Sequence, residues 1–502
     1  MPTLYAASPF AAATRLTLSI GQRLALFFAL AVLGGCVTVP GDGGSILHLW
    51  SQHLPNRQLS LRAIVPAGKP CPLATVDGHD RPLQARVATP TPTSLPVGEA
   101  ADFPVTLCEL AVPTTTRAAH IAGQPVPLAA AETRRIVIVG DTGCRIKVPA
   151  SGPGDPIQDC ADANAWPWAR IATAAAATKP DLVIHLGDYH YREYCRQPAR
   201  CSALAEKGIV VGYGWPGWQA DLFTPATPLL AAAPWITVRG NHENCDRGGE
   251  GWQRLLSPLP PRSCPTTVDG RLPRSVLSNN VTADAYRLDL PGLPTLIVAD
   301  NAGHEDYRAA EATPEDLPWF ERTLAALYQA PAGQALWLLI HKPLWYDLLA
   351  ADSPANALQA TVQRRPPPKL SLVFAGHQHA FQTLVFTDEG RTEPSRSGRP
   401  AQVIVGNGGT QLEIFDPASP FFTDRQPPAS QERWRVTDRL YDGRPATAGI
   451  VLHRYGFLLL ERDDDRPSVW RASLRDPDGQ PLAACRLDDA GKDVACTPER
   501  AP

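Results

Sequence analysis

The chain has 502 residues, enough for a large main domain with smaller additions, and its 44% apolar fraction suffices for a sizeable core. A formal net charge of -3, with no Lys/Arg-dense run, argues against nucleic acid as a partner. The 52 prolines favour long, stiffened loops and argue against helical bundles and coiled coils.

Residues 1–35 read as a targeting segment. Arg15 and Arg23 flank a polar region, the apolar run 24–32 is too short to span a bilayer, and Leu33-Gly34-Gly35 precede Cys36. Small residues before a cysteine resemble the bacterial lipobox. That resemblance implies a lipoprotein signal peptide, lipidation of Cys36, and a lipid anchor in the bacterial outer membrane facing the periplasm or cell surface, since Val37 rather than Asp follows. An ordinary secretory signal with an incidental Cys36 is the alternative. Residues 36–44 read as a tether. Without Cys36 the eleven cysteines leave ten, which fall in sequence-local pairs. The simplest pairing is Cys71 with Cys108, Cys144 with Cys160, Cys195 with Cys201, Cys245 with Cys264, and Cys485 with Cys496, although spacing leaves other connectivities open. No C-x-x-C occurs, so disulfides in an oxidising compartment are favoured over thiolate metal sites.

Short alternating runs such as 59–65 and 104–110, separated by turn clusters such as 77–80, predict a small β-rich domain over 45–113, with a linker over 114–133. A main domain over 134–502, β-rich at its C-terminal end, follows. Its first run, 134–139, closes on Gly140-Asp141-Thr142-Gly143. A helix is predicted over 166–178, with Asn164 as its cap and Pro167 in the first turn. The strand 182–186 runs into Gly187, Asp188, His190 and Tyr191. This strand-helix-strand order predicts a parallel α/β unit. After an insertion over 192–217 and a helix over 219–233, the strand 235–238 ends at Gly240-Asn241-His242-Glu243. A loop over 244–278 precedes the strand 295–299, which ends at Asp300. Thr313 and Pro314 open a helix running to about 329, with Glu315 and Asp316 at its positive end. The strand 335–340 ends at His341, and 370–374 ends at Gly376-His377-Gln378-His379. Runs at 402–405, 450–453, 457–461 and 470–474 complete the sheets.

Five strand ends therefore carry candidate ligands: Asp141; Asp188 with Tyr191; Asn241 with His242; His341; and His377 with His379. A single strand-end histidine or aspartate is more often a hydrogen-bonded or capping residue. Together, mixed oxygen and imidazole donors suit hard or borderline cations. Seven donors with one shared carboxylate suffice for two metal ions while leaving positions for water and substrate.

In this order GDTG, GDYHY, GNHE, the His341 segment and GHQH resemble the five motif blocks of purple acid phosphatases, within the calcineurin-like metallophosphoesterase superfamily. The resemblance spans about 134–461. Its subfamily features are Asp-Thr-Gly in the first block, where the wider superfamily has Asp-x-His, and a tyrosine three residues past Asp188. It implies a four-layer α/β/β/α sandwich of two packed sheets. It further implies that Asp141, Tyr191 and His379 hold Fe(III), that Asn241, His341 and His377 hold a divalent Zn, Fe or Mn, and that Asp188 bridges them. Anionic oxygens on the trivalent side, and a tyrosinate that needs a cation to ionise, agree with that division.

The implied reaction is hydrolysis of phosphate esters by in-line attack of metal-bound hydroxide, on phosphomonoesters first, with phosphodiesters or pyrophosphate as alternatives. His242 is implied to face substrate and donate to the leaving oxygen, with loop orientation as its other role. Glu243 is expected to partner a histidine, and Asp300 to be structural. His190 is either a substrate contact or a solvent-facing loop residue. Tyr213, Trp215, Trp345 and Tyr346 either line the cleft or pack loops. Specificity is expected in 192–217 and 244–278. A surface lipoprotein that binds phosphorylated ligands without turnover is the reading from a different class. Partners are then a phosphate ester and, through the lipid anchor alone, a membrane.

Overall fold

Alternation along the central strands explains how four layers stack. In the strand Arg135–Val139, Ile136 and Ile138 project to one side and Val137 and Val139 to the other. The two isoleucines join a core with Trp337, Leu339 and Phe374 of a second sheet. The two valines pack with Trp168 and Ile171 of the helix Trp168–Ala177. In the second sheet Leu336 and Leu338 face Trp319 and Phe320 of the helix Asp316–Thr323. Strands covered on both faces need continuous apolar runs, which these are. Helix, sheet, sheet, helix is the resulting order, the expected sandwich.

The computed structural model describes residues 46–86, 101–146, 157–193, 198–262, 264, 283–304, 314, 316–329, 335–345, 356–365, 367, 369–385, 399–413, 434–435, 448–491 and 494–499. The targeting segment, Cys36, the tether, Cys195, Thr313, Glu315 and Tyr346 lie outside them. Among the described residues the larger sheet has eleven strands, in the order Ala495–Pro498, Pro481–Asp488, Val469–Arg475, Phe457–Arg462, Arg135–Val139, Leu182–His185, Trp235–Thr237, His48–Leu54, Gln58–Pro66, Val105–Pro113, Gln84–Ala85. The second has eight: Tyr286–Leu288, Thr295–Val298, Leu336–Leu339, Leu370–Ala375, Ala401–Val405, Phe381–Val385, Ala448–Leu452, Trp434–Arg435. At the centre of the first sheet, Ile138, Ile184 and Ile236 are parallel register partners. Four strands of the second sheet, from Thr295–Val298 to Ala401–Val405, are also parallel. Both sheets thus send their carboxyl ends to one shared edge, where α/β folds gather polar loops.

The described residues of 46–113 are β-rich, and Leu61, Ala63 and Val76 form a small core with Ile121 of the segment that follows. It is nevertheless continuous with the main sheet. His48–Leu54 lies parallel to Trp235–Thr237 through Gln52 and Trp235, and Gln58–Pro66 and Val105–Pro113 extend it further. The edge of Trp235–Thr237 would otherwise expose unpaired backbone groups. Residues 114–133, expected as a linker, supply the strands Ala119–Ile121 and Gln124–Pro125 of a separate four-stranded sheet.

Helix boundaries also differ from expectation. The first helix begins at Trp168 without a side-chain cap, and Asn164 Oδ1 instead accepts from Arg170 at 3.0 Å. The segment expected as one helix over 219–233 is broken into Trp215–Trp218, a π turn Gln219–Phe223, and Thr227–Leu230. Pro225 and Pro228 carry no N–H to continue a single helix. Asp316–Thr323 and Ala325–Tyr328 replace the single helix expected up to 329. Among the described residues four sequence-local disulfides are present: Cys71–Cys108, Cys144–Cys160, Cys245–Cys264 and Cys485–Cys496. Cys201 is disulfide-bonded as well.

Candidate metal centre

Every candidate ligand sits past a strand end, and three of them sit on turns too sharp for ordinary backbone. Asp141 (φ 57°), Asp188 (φ 57°) and His377 (φ 71°) occupy the left-handed region without being glycine. Such conformations cost on the order of 1–3 kcal/mol each and persist where surrounding contacts enforce them. Here the contacts are backbone hydrogen bonds between the turns. Asp141 donates its N–H to the Gly187 carbonyl at 3.0 Å, and Thr142 donates to the Asp188 carbonyl at 3.1 Å. Gly240 permits a close approach, since a Cβ there would overlap the backbone nitrogen and Oδ1 of Asp188.

Two groups of donor atoms result, and they share one oxygen. The Tyr191 hydroxyl lies 2.8 Å from Asp188 Oδ2, 3.2 Å from Asp141 Oδ1 and 2.9 Å from His379 Nε2. On the other side His341 Nε2 lies 3.2 Å from the same Asp188 Oδ2, 3.0 Å from Asn241 Oδ1 and 3.3 Å from His377 Nδ1. Ligand-capable atoms of Asp188, His341 and His377 fall within 4.8 Å of one another. Asp141, Tyr191 and His341 are fully buried, and Asp188 is 1% exposed.

The chemistry of this donor set fits a pair of cations. His341 Nδ1 lies 2.8 Å from the Leu186 carbonyl, and His379 Nδ1 lies 2.9 Å from the Gln411 carbonyl. A carbonyl accepts only, so in the neutral tautomer each ring directs an Nε2 lone pair into the centre. Those lone pairs meet carboxylate and amide oxygens that are themselves acceptors, and one phenol proton cannot serve them all. A carbonyl fixing the outer nitrogen is also how metal-binding histidines are usually oriented. Charge points the same way. Burial and the nearby Asp188 push the Asp141 carboxyl well above its ordinary range, and burial with Asp188 and Asp141 does the same to the Tyr191 phenol. Burial opposes the Asp188 charge too, but His341, His242 and His377 outweigh it and hold that carboxyl well below its ordinary range. Burial, followed by Arg145, lowers His379 to about 3, so its ring is neutral and able to ligate.

Around this centre several expectations are corrected. Glu243 does not partner a histidine. Its carboxylate accepts the backbone N–H groups of Asp188 (3.0 Å), Tyr189 (2.9 Å), His190 (3.1 Å) and Gly240 (3.0 Å), tying together two ligand-bearing turns. His190 neither faces solvent nor enters the centre. It is buried, lies 2.9 Å from the Gly212 carbonyl through Nε2, and packs on Tyr213 and Trp218. Trp215 packs on Phe223, and Trp345 is core, with its indole N–H on the Pro400 carbonyl. Asp300, by contrast, has the structural role expected of it, pairing with Arg239 at 3.0 Å.

His242 donates its backbone N–H to Asp188 Oδ1 at 2.8 Å, and its ring lies over Tyr191 with centroids 3.7 Å apart. Burial and the adjacent Arg247 lower its imidazole to about 4. Three polar residues escaped the sequence reading. Asp221, on the π turn Gln219–Phe223, accepts the backbone N–H groups of Cys144, Tyr191 and Arg192 and so holds the Asp141 and Tyr191 turns together. Glu193 and Arg247 form an ion pair beside His242. No spacing or periodicity marks these three; only the proximity of Glu193 and Arg247 to motif blocks was available as a signal.

Residues 134–381 match the family model of calcineurin-like phosphoesterases. Among solved structures, the purple acid phosphatase from yellow lupin (Lupinus luteus) seeds is similar at 16% identity and TM-score 0.51, covering 89% of this chain and 74% of that one. PhoD is similar at 12% identity and TM-score 0.50, covering 90% and 92% of the two chains. At these identities the two structures speak to fold alone. No curated protein matches the chain significantly. Residues 134–381 thus form a calcineurin-like phosphoesterase domain, and the chain is a metal-dependent phosphoester hydrolase, a domain family that implies a dinuclear centre.

Proposed function

We propose that the chain is a phosphomonoesterase of the purple acid phosphatase type. The observation that carries this reading is the buried Tyr191 hydroxyl, 2.8 Å from the shared oxygen of Asp188 and 2.9 Å from His379. Asp141, Tyr191 and His379 would hold Fe(III), Asn241, His341 and His377 a divalent Zn, Fe or Mn, with Asp188 common to both. When bound, such a pair polarises water into a nucleophile for in-line attack and neutralises charge on the phosphoryl oxygens. The chain's own contribution is positional. Glu243 and Asp221 fix the turns that carry Asp141, Asp188 and Tyr191. Asn241 and His377 are the partly exposed members of the set, so substrate meets their side of the centre. His242, held by its backbone N–H and by the Tyr191 ring, faces the leaving oxygen as a hydrogen-bond donor.

Purified protein assayed with 4-nitrophenyl phosphate and with bis(4-nitrophenyl) phosphate, before and after chelation, tests this reading. Chelator-sensitive turnover that favours the monoester is expected, together with a visible tyrosinate-to-Fe(III) band that disappears in Tyr191→Phe. Preference for the diester would overturn the substrate assignment. A colourless active enzyme with two divalent ions would overturn the Fe(III) assignment. Export and a lipid anchor at Cys36 belong to the same proposal, supported by disulfides that require an oxidising compartment. Cys36→Ser should move the protein from the membrane to the soluble fraction, and an unchanged distribution would exclude the anchor.

A further inference from the structure

Arg247 stands outside the ligand set, five residues past His242, yet its guanidinium reaches the same edge of the centre. Nη2 lies 2.7 Å from His242 Nδ1 and 2.8 Å from His242 Nε2. A neutral imidazole has one lone pair in the ring plane, so His242 accepts a single N–H of Arg247. His242 Nε2 is itself 3.9 Å from Asp188 Oδ2, which brings the cation close to the oxygen shared by the two donor groups. A guanidinium has five N–H groups. Three of them are accounted for by Glu193, which accepts from Nε at 2.8 Å and from Nη2, and by the Asn241 carbonyl, which accepts from Nη1 at 3.4 Å. The Arg247 side chain is 17% exposed, so solvent reaches it.

Glu193 therefore works as a latch. Its carboxylate is 9% exposed and also lies 2.8 Å from His242 Nδ1, so arginine and histidine are positioned by one acid. A planar, permanently charged fork beside the leaving-group side of a phosphoryl site suits a doubly charged oxygen face.

We propose that Arg247, latched by Glu193, is a specificity-determining residue that binds the non-bridging oxygens of the substrate's phosphoryl group and favours dianionic monoesters over monoanionic diesters. This rests on the monoesterase reading above. One further cation selects for the second negative charge, because charge-assisted hydrogen bonds to arginine are about twice as strong as neutral ones.

The test compares wild type with Arg247→Gln, Arg247→Lys and Glu193→Gln, each checked for wild-type melting temperature and metal content. For Arg247→Gln, kcat/KM with 4-nitrophenyl phosphate should fall about 10- to 100-fold, the range for a lost charged hydrogen bond. With bis(4-nitrophenyl) phosphate the fall should be about 3-fold or less. Arg247→Lys should recover part of the loss, and Glu193→Gln should raise the monoester KM more than it lowers kcat. Calorimetric affinity for inorganic phosphate should fall in parallel with the monoester value in Arg247→Gln. Equal losses on both substrates, or unchanged phosphate affinity, would overturn the assignment of Arg247. Wild-type preference for the diester would instead overturn the monoesterase reading, and is seen without any variant. Should Arg247→Gln fail to fold, the comparison of Arg247→Lys with Glu193→Gln carries the same two readouts: equal losses on both substrates, or unchanged phosphate affinity, then decide against it.

Discussion

Tyr191 contributes one oxygen to a position that donors from both sheets approach, and Glu243 contributes two oxygens to four backbone N–H groups beneath it. The two side chains should fail differently. Tyr191→Phe keeps the ring that packs on His242 and removes only the hydroxyl, so folding should survive while metal content and activity drop; elemental analysis beside a thermal melt separates the two effects. Glu243→Ala leaves buried donors at Asp188, Tyr189, His190 and Gly240 unpaired, at about 1–3 kcal/mol for each uncompensated group. Its melting temperature should fall steeply, and Glu243→Gln, which keeps one acceptor oxygen, should fall less. Equal melting of Glu243→Ala and wild type would remove Glu243 from the loop-holding role. The ligands themselves were legible because strand ends followed by glycine place them. Asp221, Glu193 and Arg247 were not, since a loop residue's partner depends on a tertiary path that no local period encodes. For Glu243 the position near the site was legible, but its partners are backbone groups, which leave no mark in side-chain identity.

Strands from 46–113 brace the π turn Trp252–Leu256 and the residues just past it. Arg62 donates to the carbonyls of Leu255 and Ser257, each at 2.9 Å, and Gln52 donates to the Leu256 carbonyl at 2.7 Å. Arg86 reaches the Gln253 and Leu259 carbonyls. Three of these carbonyls, of Gln253, Leu255 and Leu256, belong to the π turn Trp252–Leu256, whose terminus leaves such groups without partners of its own, and those of Ser257 and Leu259 lie just past it. Arg62 is fully buried and donates to Ser60 Oγ and Gln52 Oε1 as well as to the two carbonyls, so Arg62→Ala takes a donor from four acceptors, while Glu109, 3.1 Å from Arg62, keeps Arg86 at 3.0 Å. Each buried acceptor left without a donor costs about 1–3 kcal/mol. A denaturant melt of Arg62→Ala showing no loss of stability would refute the bracing role, and a shortened chain starting at residue 114 should be insoluble. Alternation in 59–65 and 104–110 revealed these strands, but alternation reports which face is buried and not which strand lies alongside. Their junction with Trp235–Thr237 therefore stayed hidden.

Across the molecule, fold class followed from the order of the motif blocks and the continuous apolar runs, while the seams between segments did not, because sheet continuity is a pairing between distant strands. The disulfides act at this scale. Cys144 lies three residues past Asp141 and Cys245 four past Asn241, so Cys144–Cys160 and Cys245–Cys264 restrain loops that carry candidate ligands. A disulfide closing a loop of this size contributes about 2–4 kcal/mol. Reductant should lower the melting temperature and also quicken the loss of metal to a chelator; unchanged release rates would confine the disulfides to global stability.

The donor set is divided between the sheets. Asp141, Asp188, Tyr191 and Asn241 follow strands of the first, whereas His341, His377 and His379 follow strands of the second. Neither half of the chain can assemble a complete coordination shell, since each proposed ion draws on both. During refolding, high-affinity metal uptake must therefore wait until the two sheets have docked. Metal added to refolding protein should be captured in the slowest phase and not in the burst, making ion capture a clock for the last step of chain assembly.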